Sequence, residues 1–138
     1  MSQDNREIVR RWFEEVWNQR RAETIDEFIT PESVCFTEDG PLRGPEEFRQ
    51  RQFLPLVGAF PDLHIEIKDI VAEDDNVVVR WIATGTHAGA ALGFEATNAP
   101  ADFAGISWIR VRDGKFGEGW QNSNMTNEVR RLAAMAPA

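Results

Sequence analysis

The chain has 138 residues, 42% apolar and 28% charged, with a net charge of −8. That is enough chain for one domain (1–138) with a real core, and no stretch nears the ~20 apolar residues of a membrane span. The acidic balance excludes a nucleic-acid surface, which needs a basic face, and no phosphate loop or dinucleotide fingerprint is present. One cysteine excludes an internal disulfide. With the polar opening MSQDNREIVRRW, which does not read as a secretory signal, it points to a reducing cytoplasm. Five tryptophans and nine phenylalanines stand beside no tyrosine at all, so any mechanism that needs a tyrosine hydroxyl is excluded.

Ile8, Val9, Trp12, Phe13, Val16 and Trp17 recur at helical spacing and predict an N-terminal helix whose other face carries Arg10, Arg11, Glu14 and Glu15. A second short helix, roughly 22–29, stops at Pro31, because proline disfavours helical geometry in the residue before it. SVCFTEDGPLRGPEEFRQRQFLPLVGAF then reads as a short strand, a turn and a helix opening near Pro45, where proline is tolerated. Cys35, between Val34 and Phe36, reads as a buried structural thiol.

From Pro61 the period changes to two. LHIEIKDIVAEDDNVVVRWIATGTHAG predicts two antiparallel strands joined by the acidic turn Glu73–Asn76. His64 shares the polar side of its strand with Glu66 and Lys68. Arg80 interrupts the apolar run VVVRWIA, so on a central strand it is expected to be buried and to need a partner. That partner is a carboxylate such as Asp62 or Asp102, or an acidic group of a substrate. His64 and His87 lack close ligand spacing, so no metal site is expected.

Residues 89–100 read as a loop and Asp102 as the start of the next strand, either a turn residue or a carboxylate entering a cavity. FAGISWIRVRDGKFGEGWQNSNM predicts a second hairpin turning at Asp113-Gly114. Alternation puts Gln121 and Ser123 on one face and Trp120, Asn122 and Asn124 on the other, with Ser107 on the face of Gln121. A closing helix over about 126–135 sets Val129 and Leu132 on one side. Trp81, Trp108 and Trp120 are sheet aromatics, for core or subunit contact. If Gln121 faces a cavity, Trp108 and Trp120 lie on the outer sheet face, where another subunit should cover them. The expected architecture is α+β, with helices packed on a strongly curved antiparallel sheet.

This order, with FPDLHIEI, VVVRW, GTHAG and VRDGKFGEGW, resembles the SnoaL-like polyketide cyclases, within the cone-shaped nuclear transport factor 2 and ketosteroid isomerase superfamily. The resemblance implies a cofactor-free pocket between sheet and helices for a small apolar or aromatic ligand, where members close a ring by intramolecular aldol condensation. It implies a carboxylate after the tryptophan of the last strand, where this chain has Gln121, and a histidine where it has Ser107. A neutral amide is no base near pH 7, though it donates and accepts hydrogen bonds. His87, in GTHAG, is then the expected acid–base residue. Gln121, Ser107 and Asn124 would orient a carbonyl oxygen, Asp102 would be the remaining carboxylate, and Arg80, Trp81 and His64 would be ligand contacts. Ketosteroid isomerase and scytalone dehydratase resemblance would demand tyrosines, and limonene epoxide hydrolase an aspartate two residues from Arg80, where Ile82 stands. Two functions stay open: acid–base chemistry (cyclisation, isomerisation or hydration) on a small carbonyl compound, or binding of a small molecule without turnover.

Overall fold

The computed structural model describes residues 2–136. Helix α1 (Ser2–Trp12) runs into a π-helical segment, Phe13–Asn18, and together they bury the predicted stripe of Val9, Trp12, Phe13, Val16 and Trp17. Helix α2 (Glu23–Phe28) ends before the proline, because Ile29 is already extended and opens strand β1 (Ile29–Thr37). Strand β2 (Gly40–Arg43) leads into α3 (Gly44–Phe48), a second π-helical segment at Arg49–Phe53, and α4 (Leu54–Ala59). Wide π turns interrupt regular helix spacing and re-aim side chains.

Four long strands follow: β3 (His64–Glu73), β4 (Asn76–Thr86), β5 (Pro100–Arg112) and β6 (Lys115–Ser123), closed by α5 (Met125–Met135). Both hairpins form as the alternation predicts. Asp113 and Gly114 have φ of 52° and 75°, the left-handed pair that a tight hairpin turn requires. The sheet runs β2-β1-β6-β5-β4-β3. It is mixed rather than wholly antiparallel, since β1 lies parallel to β6. These two strands are far apart in sequence and no hairpin links them, so parallel pairing is open to them.

Register shifts between Ile67 and Asp69 and between Ile109 and Val111 bend the sheet. The second shift places Ser107 opposite Gln121. The concave face carries Val77, Val79, Trp81, Ala83, Phe103 and Ile109 into the core against the helices. Asn18, ending the first helical run, pairs both amide groups with the backbone of Ile65, donating at 3.0 Å and accepting at 2.7 Å. That satisfies part of the open edge of β3.

The convex face is unusual in composition. Val71, Val78, Trp108, Trp120 and Phe36 are successive register partners across five strands, and Pro41 on β2 continues the row. Trp120 stacks on Phe36 with ring centres 5.8 Å apart and meets Trp108 edge-on at 5.9 Å. Trp108 is 45% exposed and Val71 60%.

Candidate functional site

A cavity of about 300 Å³ lies between the concave sheet face and the helices. Most of its wall is apolar, supplied by residues such as Trp12, Phe48, Leu56 and Phe103. Both π-helical segments contribute: Phe13 and Trp17 from the first, Arg51 and Gln52 from the second. The exposed residues Glu38, Asp39, Arg51 and Thr126 are also part of the lining and mark its side open to solvent.

Besides the Ser33 hydroxyl, which is bonded to the backbone of Thr30 and Phe116, two polar groups are built into this wall. In the first, the Gln52 amide Nε2 donates to Gln121 Oε1 at 2.7 Å, and Gln121 Nε2 donates to Cys35 Sγ at 3.2 Å. Burial pushes the Cys35 thiol up to about 12, against the opposing hydrogen bond from Gln121, so near neutrality it is a protonated thiol and not a nucleophile. Gln52 Oε1 is buried and has no hydrogen-bond partner. In the second, Trp81 Nε1 donates to Ser107 Oγ at 3.0 Å. That bond uses an oxygen lone pair and leaves the hydroxyl proton free to donate. Gly105 makes room for this arrangement: a Cβ there would come within 2.6 Å of the Trp81 ring.

Of the site residues expected from sequence, Gln121, Ser107 and Trp81 meet on this wall, and His87, Asp102, Arg80, Asn124 and His64 do not. His87 is fully buried yet does not line the cavity. Its ring packs against Phe60 and Phe94, Thr97 N–H donates to Nδ1 at 3.2 Å, and the Thr97 hydroxyl lies 3.0 Å from the same atom. Nε2 is buried without a partner, so neither Asp62 nor Asp102 is bonded to the ring. Asp62 instead accepts from the Thr86 N–H at 2.7 Å and its hydroxyl at 2.9 Å, which lowers its pKa, the backbone bond being the larger cause. GTHAG is thus a seam: Thr86 is clamped by Asp62, and the Gly89 Cα lies so close to the Gly58 carbonyl that a Cβ would clash at 1.9 Å.

Arg80 departs from its expected burial and partners. It lies on the convex face, is exposed, and donates to Asp69 of β3 at 2.7 Å. Asp102 is exposed on that same face, and its backbone N–H donates to Glu128. Asn124 caps the sheet end, accepting from the Ala104 N–H at 2.9 Å. His64 is exposed at the start of β3, beside a shallow groove outside the cavity. Among the described residues no group of His, Cys, Asp and Glu is arranged to hold a metal, and no helix is long and apolar enough to cross a membrane.

Sequence reading missed Gln52. Its signal was present: Phe48, Gln52 and Leu56 are four apart, so a lone amide occupies an apolar helical stripe. Cys35, read as structural, is a cavity residue. Glu38 was also missed, and its carboxylate accepts from the backbone N–H of Ser123 on β6 at 3.2 Å.

Comparison with known proteins places this geometry. The sequence model of the SnoaL-like polyketide cyclases matches residues 7–131. A proposed SnoaL-like polyketide cyclase from Jannaschia sp. CCS1 is 24% identical with a TM-score of 0.86, over 99% of this chain and 95% of that one. A proposed polyketide cyclase from Acidithiobacillus ferrooxidans is 25% identical, TM-score 0.80, over 96% of each chain. IdmH, a proposed polyketide cyclase from Streptomyces antibioticus, is 26% identical, TM-score 0.78, over 94% of this chain and 98% of that one. No curated protein matches.

Proposed function

The chain belongs to the SnoaL-like polyketide cyclase family, and from that premise we propose that it takes a small, largely apolar carbonyl compound into the cavity and acts on it by acid–base chemistry without a cofactor. Cyclisation, isomerisation and hydration all pass through the same need: a carbonyl oxygen must be held while a neighbouring proton moves. The observation that carries this reading is that the Gln52–Gln121–Cys35 relay and the Trp81–Ser107 pair stand in a largely apolar wall, where the buried Ser33 hydroxyl is already bonded to the backbone of Thr30 and Phe116. An apolar pocket with a few convergent polar groups fixes the orientation of a ligand. The free Ser107 proton suits a carbonyl oxygen.

The base is the part that differs from expectation. Among the described residues lining the cavity the carboxylates are Glu38, Asp39 and Glu118, and Glu118 is paired with Arg110 at 3.1 Å. We assign proton transfer to Glu38, which is bonded to the strand that carries Gln121. Glu38→Gln should lower turnover of an aldol-type keto substrate by at least ~10²-fold, the scale of a general base. Unchanged turnover would remove Glu38 from the mechanism.

A second reading, binding without turnover, is favoured by Gln121 itself, an amide hydrogen-bonded on both sides at the position where the resemblance implies a carboxylate. Thermal stabilisation by a panel of keto compounds with no product formed would select it. The row of convex-face aromatics further supports a homodimer through that face, and the single free cysteine fits a reducing cytoplasm.

A further inference from the structure

We infer that Gln52, and not Gln121, is the amide that meets the ligand, and that it selects compounds carrying a hydroxyl, phenol or enol proton. This rests on the cavity being the ligand site, as proposed above. Gln121 is engaged in both directions, one N–H on the Cys35 sulfur and its oxygen on the Gln52 NH₂, whereas the Gln52 oxygen has no partner at all. Because Gln121 turns its oxygen towards Gln52, Gln52 must offer its nitrogen, and its own oxygen is left over. That oxygen is buried, unpaired and carried by a residue of the cavity lining. An acceptor buried without a donor is costly, and a ligand that supplies a donor removes the cost while one that cannot does not.

Cys35 is the anchor of this direction. With sulfur as the acceptor the relay runs from Gln52 through Gln121 to Cys35 and shows an acceptor to the ligand. With the thiol as the donor every bond reverses, and Gln52 would show an NH₂ instead. The bonding pattern is the first of these. Together with the Ser107 hydroxyl, the wall is matched to a compound bearing one oxygen that accepts and one that donates, as a hydroxy-ketone or enol does.

Isothermal titration of 2-naphthol and 2-methoxynaphthalene tests this directly, since both oxygens accept but only the naphthol donates. The naphthol should bind at least tenfold more tightly to the unaltered protein, and Gln52→Met should bring the two within about twofold of each other, the loss of one hydrogen bond to a buried acceptor. Equal binding of the two by the unaltered protein overturns the inference and leaves the cavity reading standing. Tighter binding of the ether overturns it too. A tenfold preference that survives in Gln52→Met removes Gln52 as its source. Binding of neither compound fells the cavity reading and the inference with it. The ratio in the unaltered protein needs no variant, so the test holds even if Gln52→Met fails to fold.

Discussion

Thr97 meets the ring of His87 twice at one atom: its backbone N–H donates to Nδ1 at 3.2 Å and its hydroxyl lies 3.0 Å away. A backbone N–H can only donate, so Nδ1 is the acceptor of this bond. The ring therefore ties residues 97–99 to the end of β4, where His87 N–H also donates to the Ala99 carbonyl. His87→Ala is expected to lose about 2–4 kcal/mol of stability, from an emptied site between Phe60 and Phe94 and a stranded donor. Thr97→Val, removing the hydroxyl alone, should lose about 1 kcal/mol. Urea unfolding measures both. Turnover falling ~10²-fold in His87→Ala at unchanged stability would restore the ring as the acid–base group.

Gly105 is the second position where a small change should have a large effect. An added Cβ would stand 2.6 Å from the Trp81 ring, 2.7 Å from the Asn122 carbonyl and 2.8 Å from the Ser123 Cβ. The Asn122 carbonyl is backbone and the Ser123 Cβ is fixed to it, so only the Trp81 ring can rotate away, and it loses its bond to Ser107 when it does. Gly105→Ala should cost about 1–3 kcal/mol, the usual range for overpacking, with a shifted tryptophan emission maximum and weaker cavity binding. An unshifted spectrum with wild-type stability would show that the wall tolerates the methyl group.

The Cys35 thiol gives a prediction with a sign. Burial holds it up to about 12 in the fold, above its ordinary value of 9.0. Iodoacetamide at pH 8 should therefore label it far more slowly than the same cysteine in urea, because only the thiolate reacts. For stability, an acid whose folded pKa is raised stays neutral in the fold while the unfolded chain ionises. Its contribution is thus complete below pH 9 and is lost as pH rises from about 9 towards 12. Cys35→Ala should flatten the stability profile over that window, and an unchanged profile would show that Cys35 does not control it.

How far the sequence reached follows from period and face. Alternation within each strand separated Gln121 from Trp120 and Ser107 from Trp108. A regular register across the two-residue Asp113-Gly114 turn would set Ser107 opposite Trp120, and it is the shift between Ile109 and Val111 that sets it opposite Gln121. Arg80 was misplaced because VVVRWIA looks apolar on both faces. Val77 and Val79 point into the core, while Val78 belongs to the convex apolar row, and that row hides the period that would have put Arg80 outside. His87 stands at the end of regular alternation, where its surroundings depend on how residues 88–99 fold back, and no local signal settles that. Gln52 was obscured by the π-helical turn around it, although its place in an apolar stripe could have been noticed.

The convex face carries the last prediction. Single exposed apolar residues are ordinary, but a registered row from Pro41 through Phe36, Trp120, Trp108 and Val78 to Val71 is not. Ile106, 50% exposed, stands two residues from Trp108 on the same face and widens the row. Charged residues flank it, Arg80 with Asp69 on one side and Arg110 with Glu118 on the other. An apolar centre with a polar rim is the anatomy of an interface. A second copy brings the same row, and a two-fold axis through it sets apolar row on apolar row. Light scattering should therefore give twice the chain mass. Trp108→Glu should give the single-chain mass with little loss of monomer stability, since the site is half in water already. An unaltered protein that scatters as a single chain at micromolar concentrations would leave the row without this partner, and a Trp108→Glu protein that stays dimeric would move the interface elsewhere.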